Sequence, residues 1–324
     1  MQSSEIRRRL LLKSVLAAAV VAGIGGTAVA QEYPSRPIRL ISPWSAGGTS
    51  DIVLRAFAQS AAKHLGGTIV VDNKPGAGGT LGAVELAGAK PDGYTLSQVA
   101  MSVISLPLMQ KMSYDPLRDL TYVARLAAYT NGFVVRADSP YKTMADVIAY
   151  AKANPDRFTY ASSGVGSTPH LIVEEVSSRA GVTMRNIPYK GDSDSLQALL
   201  SNTVMAISGA ASWGAHVDAG TLRLLAVYGS RRAMRWPNAP TLTELGYPVP
   251  DTPFGIAGPR GMDPAVVVRL QEAFRKSMDD PDVKSMLAKV DMPPAFLSSE
   301  DYTKAVAEIA KVQKAMIERL GLAK

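Results

Sequence analysis

Two stretches of this chain are dense in small polar residues and poor in reactive ones. Pro43-Trp44-Ser45-Ala46-Gly47-Gly48-Thr49-Ser50-Asp51 follows an apolar run and contains no Lys, Arg, His or Cys. Gly47 and Gly48 leave the backbone bare, so a ligand can approach its amides closely. Ser50 or Asp51 can cap a helix that opens there, while the other first-turn N–H groups stay free. Such a terminus, at the positive end of the helix dipole, holds an anion without a cationic side chain. The same composition returns in Ser162-Ser163-Gly164-Val165-Gly166-Ser167-Thr168-Pro169. The chemistry is that of holding an acid, not of transforming one. An ordinary strand-to-helix turn has the same composition, so the first stretch alone leaves both readings open.

Groups that could do covalent or metal chemistry are few and poorly spaced for it. His64, His170 and His216 have no metal-ligand spacing to one another. His64 falls at a helix end, where a cation complements the dipole, and His216 falls mid-helix. His170 follows Pro169 at the opening turn of a helix, beside Ser167 and Thr168. A hydrogen bond to a ligand and a capping or packing contact both fit it. A serine hydrolase could be built on Ser163 or Ser167 with that histidine, but no Asp or Glu stands in sequence as the orienting third group. Gly76-x-Gly78-x-x-x-Gly82 approximates a dinucleotide fingerprint with its third glycine one place late, and Gly164-x-Gly166 lacks a third. There is no phosphate loop and no nucleophile elbow. The chain has no cysteine, which removes zinc–thiolate sites and thiol nucleophiles. No cofactor and no metal is implied.

Strands and helices must position these loops. After an extended entry at 33–37, a strand at 38–41 leads through the first loop into a helix over 51–64, which Gly66-Gly67 stops. A strand at 68–71, a helix over 80–89 and a strand at 94–99 follow, ending on a loop at 100–105. Strand patterns recur at 122–127 and 133–136. The alternation then restarts with a helix over 143–153, a strand at 158–161, the second Gly/Ser loop and a helix over 170–179. Next come a strand at 184–187, the loop Pro188-Tyr189-Lys190-Gly191-Asp192-Ser193 and a helix over 194–200. A strand at 204–208, a loop at 209–212, a helix to 219 and a strand at 222–227 complete the unit. A Pro-rich stretch over 236–253 returns the chain to a strand at 254–257, and helices over 264–278, 281–290 and 299–320 close it.

This alternation argues an α/β fold with largely parallel sheets. Two lobes, one of 31–128 with 252–324 and one of 129–251, are joined by crossings near 128 and 251 and enclose a cleft. The terminal helices, with no strands after them, should pack back on the first lobe. In open α/β sheets the ligand crevice lies beyond the carboxyl ends of the strands, where each of these Gly/Ser loops falls.

Composition narrows the partners. The chain has 324 residues, 47% of them apolar and 19% charged, which is globular and long enough for two domains. Residues 1–30 read as an export leader. Arg7-Arg8-Arg9 and Lys13 form a basic region, an apolar run spans 15–26, and Ala28-Val29-Ala30 is a small-x-small cleavage signal. Arg8-Arg9-Leu10-Leu11-Leu12-Lys13 approximates a twin-arginine motif, with ordinary export equally open. The run is too short and Gly-rich for a comfortable membrane span. Export and the lack of cysteine together mean that the core alone holds the fold. Four leader cations and Glu5 account for +3 of the net +7, so the mature chain is mildly basic at +4. That suits steering of acidic solutes, and no cationic cluster lies along one element to suggest nucleic acid.

Several segments together resemble the extracytoplasmic solute-binding receptors of the tripartite tricarboxylate transporter class, the Bug receptors. The resemblance covers the whole mature chain. It rests on Tyr33-Pro34-x-Arg36-Pro37-Ile38, Pro43-x-x-Ala46-Gly47-Gly48-x-x-Asp51 and Asn73-Lys74-Pro75-Gly76-Ala77-Gly78-Gly79. It continues through Pro91-Asp92-Gly93-Tyr94-Thr95-Leu96, Tyr114-Asp115-Pro116, Tyr160-Ala161-Ser162-x-Gly164-x-Gly166-Ser167-x-x-His170, Pro188-Tyr189-Lys190-Gly191 and Ala219-Gly220-x-Leu222-Arg223. The resemblance implies a two-lobed, Venus-flytrap periplasmic binding fold of type II-like topology and no enzymatic activity. It implies a small carboxylate held between the lobes by loop amides, hydroxyls and water, and a membrane permease as partner. A monomer is expected. By matching position, the first lobe should touch ligand through Trp44, Ala46, Gly47, Gly48, Thr49, Ser50 and Ser102. The second should do so through Ser163, Gly164, Gly166, Ser167, Thr168, His170, Tyr189, Gly191, Asp192, Ala210, Ala211 and Ser212. Asp51, which would repel an anion, should cap its helix.

Two departures from the family pattern bear on the ligand. Met101-Ser102-Val103-Ile104 replaces a polar Gly/Thr-rich loop, and Ser208-Gly209-Ala210-Ala211 lacks the acidic or amide residue often found there. With Trp44 these changes give more apolar wall. The expected ligand is a monocarboxylate or an acid with an aromatic or aliphatic body, in preference to a small amino acid or citrate. Two other readings stay open: a sensor whose liganded form contacts a kinase ectodomain, and the exported serine hydrolase.

Overall fold

The computed structural model describes residues 33–229 and 231–324; the expected leader lies outside them. Ile38, Leu40 and Ile41 are completely buried, so the strand they form, β1 (Ile38–Ser42), is covered on both faces, as parallel strands are. Helix α1 (Thr49–Leu65) turns Val53, Leu54, Phe57, Ala58, Ala61 and Leu65 inward at helical spacing and ends on Gly66 at φ 70°. The first lobe continues with β2 (Ile69–Asn73), α2 (Leu81–Gly88), β3 (Thr95–Val99), α3 (Ser102–Met109) and β4 (Leu120–Tyr129). The second lobe comprises β5 (Asn131–Arg136), α4 (Met144–Ala153), β6 (Thr159–Ser162), α5 (Thr168–Ala180) and β7 (Arg185–Pro188). It goes on with α6 (Asp192–Leu200), β8 (Ala206–Ala210), α7 (Gly214–Asp218) and β9 (Leu222–Val227). The chain then returns through β10 (Thr252–Pro259), α8 (Pro264–Ser277), α9 (Pro281–Lys289), β11 (Pro294–Leu297) and α10 (Ser299–Arg319).

The two sheets share a plan. One runs β2-β1-β3-β10-β4-β11 and the other β7-β6-β8-β5-β9. In each, three parallel strands are followed by one antiparallel strand, β10 or β5, that has just crossed from the other lobe. In β5 the two-residue period sends Phe133 and Val135 into one core cluster, with Phe158 and Tyr160, and Val134 into the opposite one, with Ile207 and Trp213.

Three local expectations are corrected. The stretch 100–105 is not a loop throughout: α3 opens at Ser102, because Val103, Ile104 and Leu106 bury an apolar face. Pro107 lies inside that helix and cannot donate to the Val103 carbonyl, which the Tyr114 hydroxyl takes instead at 3.1 Å. No strand is expected among the terminal helices, yet β11 forms an edge strand against β4, where the missing N–H of Pro294 is tolerated. Helix α6 begins at Asp192, two residues earlier than its pattern suggests. The terminal helices do pack on the first lobe, α8 and α9 on α1, and α10 on β4 and α3. The far end of α10 also reaches the second lobe, where Met316 and Ile317 meet Leu171 of α5. Among the described residues, no helix is long and apolar enough to cross a membrane.

Candidate functional site

A small cavity lies where the lobes meet. The opening turns of four helices reach its wall: Ser50 of α1, Met101 and Ser102 at α3, Ser167, Thr168 and Pro169 at α5, and Asp192 of α6. Ser163, Trp44 and Ala100 from the loops and Ala210 from the end of β8 stand between them, and Tyr129, Asn131 and Thr252 form the floor. Seven of these residues carry hydroxyls, and among the described residues no Lys, Arg or His lines the cavity. Converging N-termini make the space electropositive through peptide dipoles alone, which suits an anion.

The floor is built from the crossings. The Asn131 amide donates to Thr252 Oγ1 at 3.1 Å, tying the first residues of β5 and β10 together. Tyr129 ends β4, and its hydroxyl lies 2.6 Å from Ser50 Oγ. Burial holds the Tyr129 phenol far above its ordinary range, against the opposing hydrogen bond from Ser50. The Trp44 ring lies over Gly79, whose Cβ would come within 2.7 Å of it. Asp192 faces the cavity, and burial pushes its carboxyl up to about 7 against a weak opposing hydrogen bond from the Ala210 amide.

The structure thus brings Trp44, Ser50, Ser102, Ser163, Ser167, Thr168, Asp192 and Ala210 to one wall. The remaining candidates lie off it. Gly48, Gly164, Gly166 and Gly191 sit at the seam where lobe meets lobe. A Cβ on Gly164 would lie 2.9 Å from Gly78 Cα, one on Gly191 3.2 Å from Ser45 N, and one on Gly48 3.8 Å from Ser193 N. Bare backbone serves lobe contact here. Hydrogen bonds cross the same seam, from Ser105 Oγ to the Gly166 carbonyl at 2.7 Å and from Ser45 Oγ to Asp194 at 2.8 Å. Tyr189 lines an open groove beside the seam, with Gly78 and Val165. Asp51 is not the cap, since α1 opens at Thr49 with Gly48 as its N-cap residue and no side-chain cap bond; from the first turn it accepts from the Gly47 amide at 3.0 Å and also holds Asn73 and Arg55. Ala46 precedes that turn. The buried Thr49 and Ser212 hydroxyls have no partner among the described residues, and Ala211 belongs to the core cluster around Trp213.

His170 is a packing residue. Its Nδ1 accepts from the Gly166 amide at 3.2 Å, and its Nε2 lies 3.7 Å from Glu174. Burial lowers its pKa to about 4. The ring therefore braces the loop that presents Ser167 and Thr168, and among the described residues no serine is its hydrogen-bond partner.

Sequence reasoning missed Tyr129, Asn131 and Thr252, whereas Ala100, Met101 and Pro169 lie within stretches it had singled out. Polar residues at the ends of apolar strands, beside the expected crossings, were the available signal for Tyr129, Asn131 and Thr252.

Fold and cavity define a class: a two-lobed α/β binding protein with a cavity between its lobes. Residues 53–322 match the model of the tripartite tricarboxylate transporter family receptor, and the chain belongs to that family. Receptors of this family are periplasmic binding proteins. The chain is similar to the UPF0065 protein in the gbd 5' region of Cupriavidus necator, with 47% identity over 98% of this chain and 99% of that protein. Among solved structures it resembles a Rhodopseudomonas palustris protein with adipate, at TM-score 0.84 and 28% identity over 90% of this chain and 99% of that one. It also resembles MatC from R. palustris with bound malate, at TM-score 0.82 and 26% identity over 88% and 100%.

Proposed function

We propose that this chain captures a small organic carboxylate between its lobes and, closed around it, docks on a membrane permease of the tripartite tricarboxylate type. The observation that carries the reading is the convergence of four helix N-termini on an inter-lobe cavity with no cationic side chain on its described wall. Two similar proteins with malate and adipate support the same ligand class. The lobes are taken as 31–128 with 252–324, and 129–251, hinged at the crossings beside Asn131 and Thr252. Ligand contacts come from the eight wall residues that sequence singled out, joined by Tyr129, Asn131 and Thr252. Binding favours the closed form because only there do both sets of amides and hydroxyls meet the ligand. Closure removes water and strengthens each charge-assisted bond. Trp44, Met101 and Pro169 give the acid an apolar wall, which suits an aliphatic or aromatic body.

The protein acts as a monomer, reaches the periplasm through its leader, and turns nothing over. His170, committed to Gly166 and Glu174, has no hydrogen bond to Ser163 or Ser167 and leaves a hydrolase without its base. Affinities from micromolar to nanomolar, roughly −8 to −12 kcal/mol, allow capture and release. The test is mass spectrometry of the acid that co-purifies, followed by calorimetry with a carboxylate panel. Binding of sugars or cations with no carboxylate bound at any concentration would overturn the reading.

A further inference from the structure

Asp192 is the one charged residue on the described cavity wall. It opens helix α6, and its side chain takes a single long hydrogen bond, from the Ala210 amide to Oδ1 at 3.4 Å. Gly209 makes room for it, since a Cβ there would stand 2.8 Å from Oδ1. Its neighbour Asp194 is engaged otherwise, accepting from Ser45 across the seam at 2.8 Å. Oδ2 of Asp192 has no protein donor among the described residues, and no cation on that wall balances the charge. The titratable group that faces Asp192 is the Tyr129 phenol, which senses its charge.

When ionised, Asp192 accepts hydrogen bonds and donates none, and a donor on the ligand favours that form against the burial that raises its pKa. Opposite the carboxylate of a bound acid it would repel, and in a closed, water-poor space that repulsion is strong. A ligand that places a donor against Asp192 turns the same group into an attraction and supplies the partner that the protein lacks. We infer that Asp192 selects carboxylic acids that carry a hydrogen-bond donor, a hydroxyl or a protonated amine, on the same small skeleton. This narrows the carboxylate reading and rests on it. It also modifies the expected bias against small amino acids: the apolar wall sets the body of the ligand, and Asp192 sets its substituent.

The experiment is calorimetry on the ligand-free mature protein with acids matched in skeleton: propionate, lactate and alanine; succinate, malate and aspartate; phenylpropionate, phenyllactate and phenylalanine. In at least one series the hydroxy or amino member should bind about tenfold or more tighter than its plain partner. Asp192→Ala should remove that preference. Asp192→Asn should remove it for an amine but keep it for a hydroxyl, which separates the two sources, and melting curves confirm that both variants fold. Plain acids that bind as tightly as their substituted partners, or a preference that survives Asp192→Ala, overturn this inference alone. Silence from all nine acids, with a different ligand class bound, overturns the carboxylate reading and this one with it.

Discussion

His170 and Asp192 tilt the pH dependence of stability in opposite directions. Burial lowers His170 to about 4, while the unfolded chain protonates it near 6.5. Between those values the unfolded state binds more protons, so stability rises with pH and is lost as pH falls, by up to about 3 kcal/mol. Asp192 is raised to about 7 from 3.8. Over that window the native state keeps a proton that the unfolded state has released, so stability falls as pH rises. Glu174, also raised by burial, adds to the second slope. Relative to the parent, Asp192→Asn should gain melting temperature progressively from about pH 4 to 7. His170→Gln should lose most near neutral pH and least near pH 4. Scanning fluorimetry on ligand-free protein reads both, and parallel shifts in the two variants would refute the assignment. The Ser and Thr residues of the wall were legible at this scale, because they stand in small-residue stretches at the openings of helices. Tyr129, Asn131 and Thr252 were not, because a polar residue ending an apolar strand looks alike whether it faces solvent or a cavity.

Among the elements, the seam glycines and α3 decide how the lobes meet. Gly164 has φ +119° and would bring a Cβ to 2.9 Å from Gly78 Cα, whereas Gly181, at φ +64°, has nothing within 4 Å. Both positions disfavour a side chain by roughly 1 kcal/mol of backbone strain. Gly181→Ala should therefore lower the melting temperature and leave ligand affinity unchanged. Gly164→Ala should do the first and also weaken binding about tenfold or more, because the extra methyl wedges the lobes apart. Calorimetry with the best carboxylate compares them, and equal affinities would remove the seam from the mechanism. The loops that carry these glycines were readable from turn chemistry. Their pairing was not, because Gly78 and Gly164 belong to different lobes and no local pattern couples them.

For the whole molecule, α10 bridges what the hinge separates. It packs on the first lobe along its length, and its end places Arg319 at 2.5 Å from Glu175 of α5. Burial pushes the Glu175 carboxyl up, but Arg319 and Arg179 together hold it below its ordinary value. Half of Arg319 faces solvent, so the pair contributes about 1 kcal/mol or less. The pair ties α10 to the second lobe, so it favours whichever form holds the lobes together. Arg319→Ala should weaken carboxylate binding several-fold without touching the cavity and enlarge the ligand-free protein in solution scattering. Unchanged affinity and radius would show that the bridge exists in both forms.

Periodicity and punctuation in the chain determined the α/β alternation, the two lobes, the loops at the strand ends and the absence of cations from the stretches 43–51 and 162–169. Each of these follows from neighbours within about ten residues, through pleat, helical turn and the backbone freedom of glycine. The tertiary structure alone decided which loop residues face the cavity and which the seam, that crossing strands floor it, and that α10 spans both lobes. It also left Asp192 alone among neutral groups. These outcomes depend on strand register and on contacts between residues far apart in sequence, which local preferences do not encode.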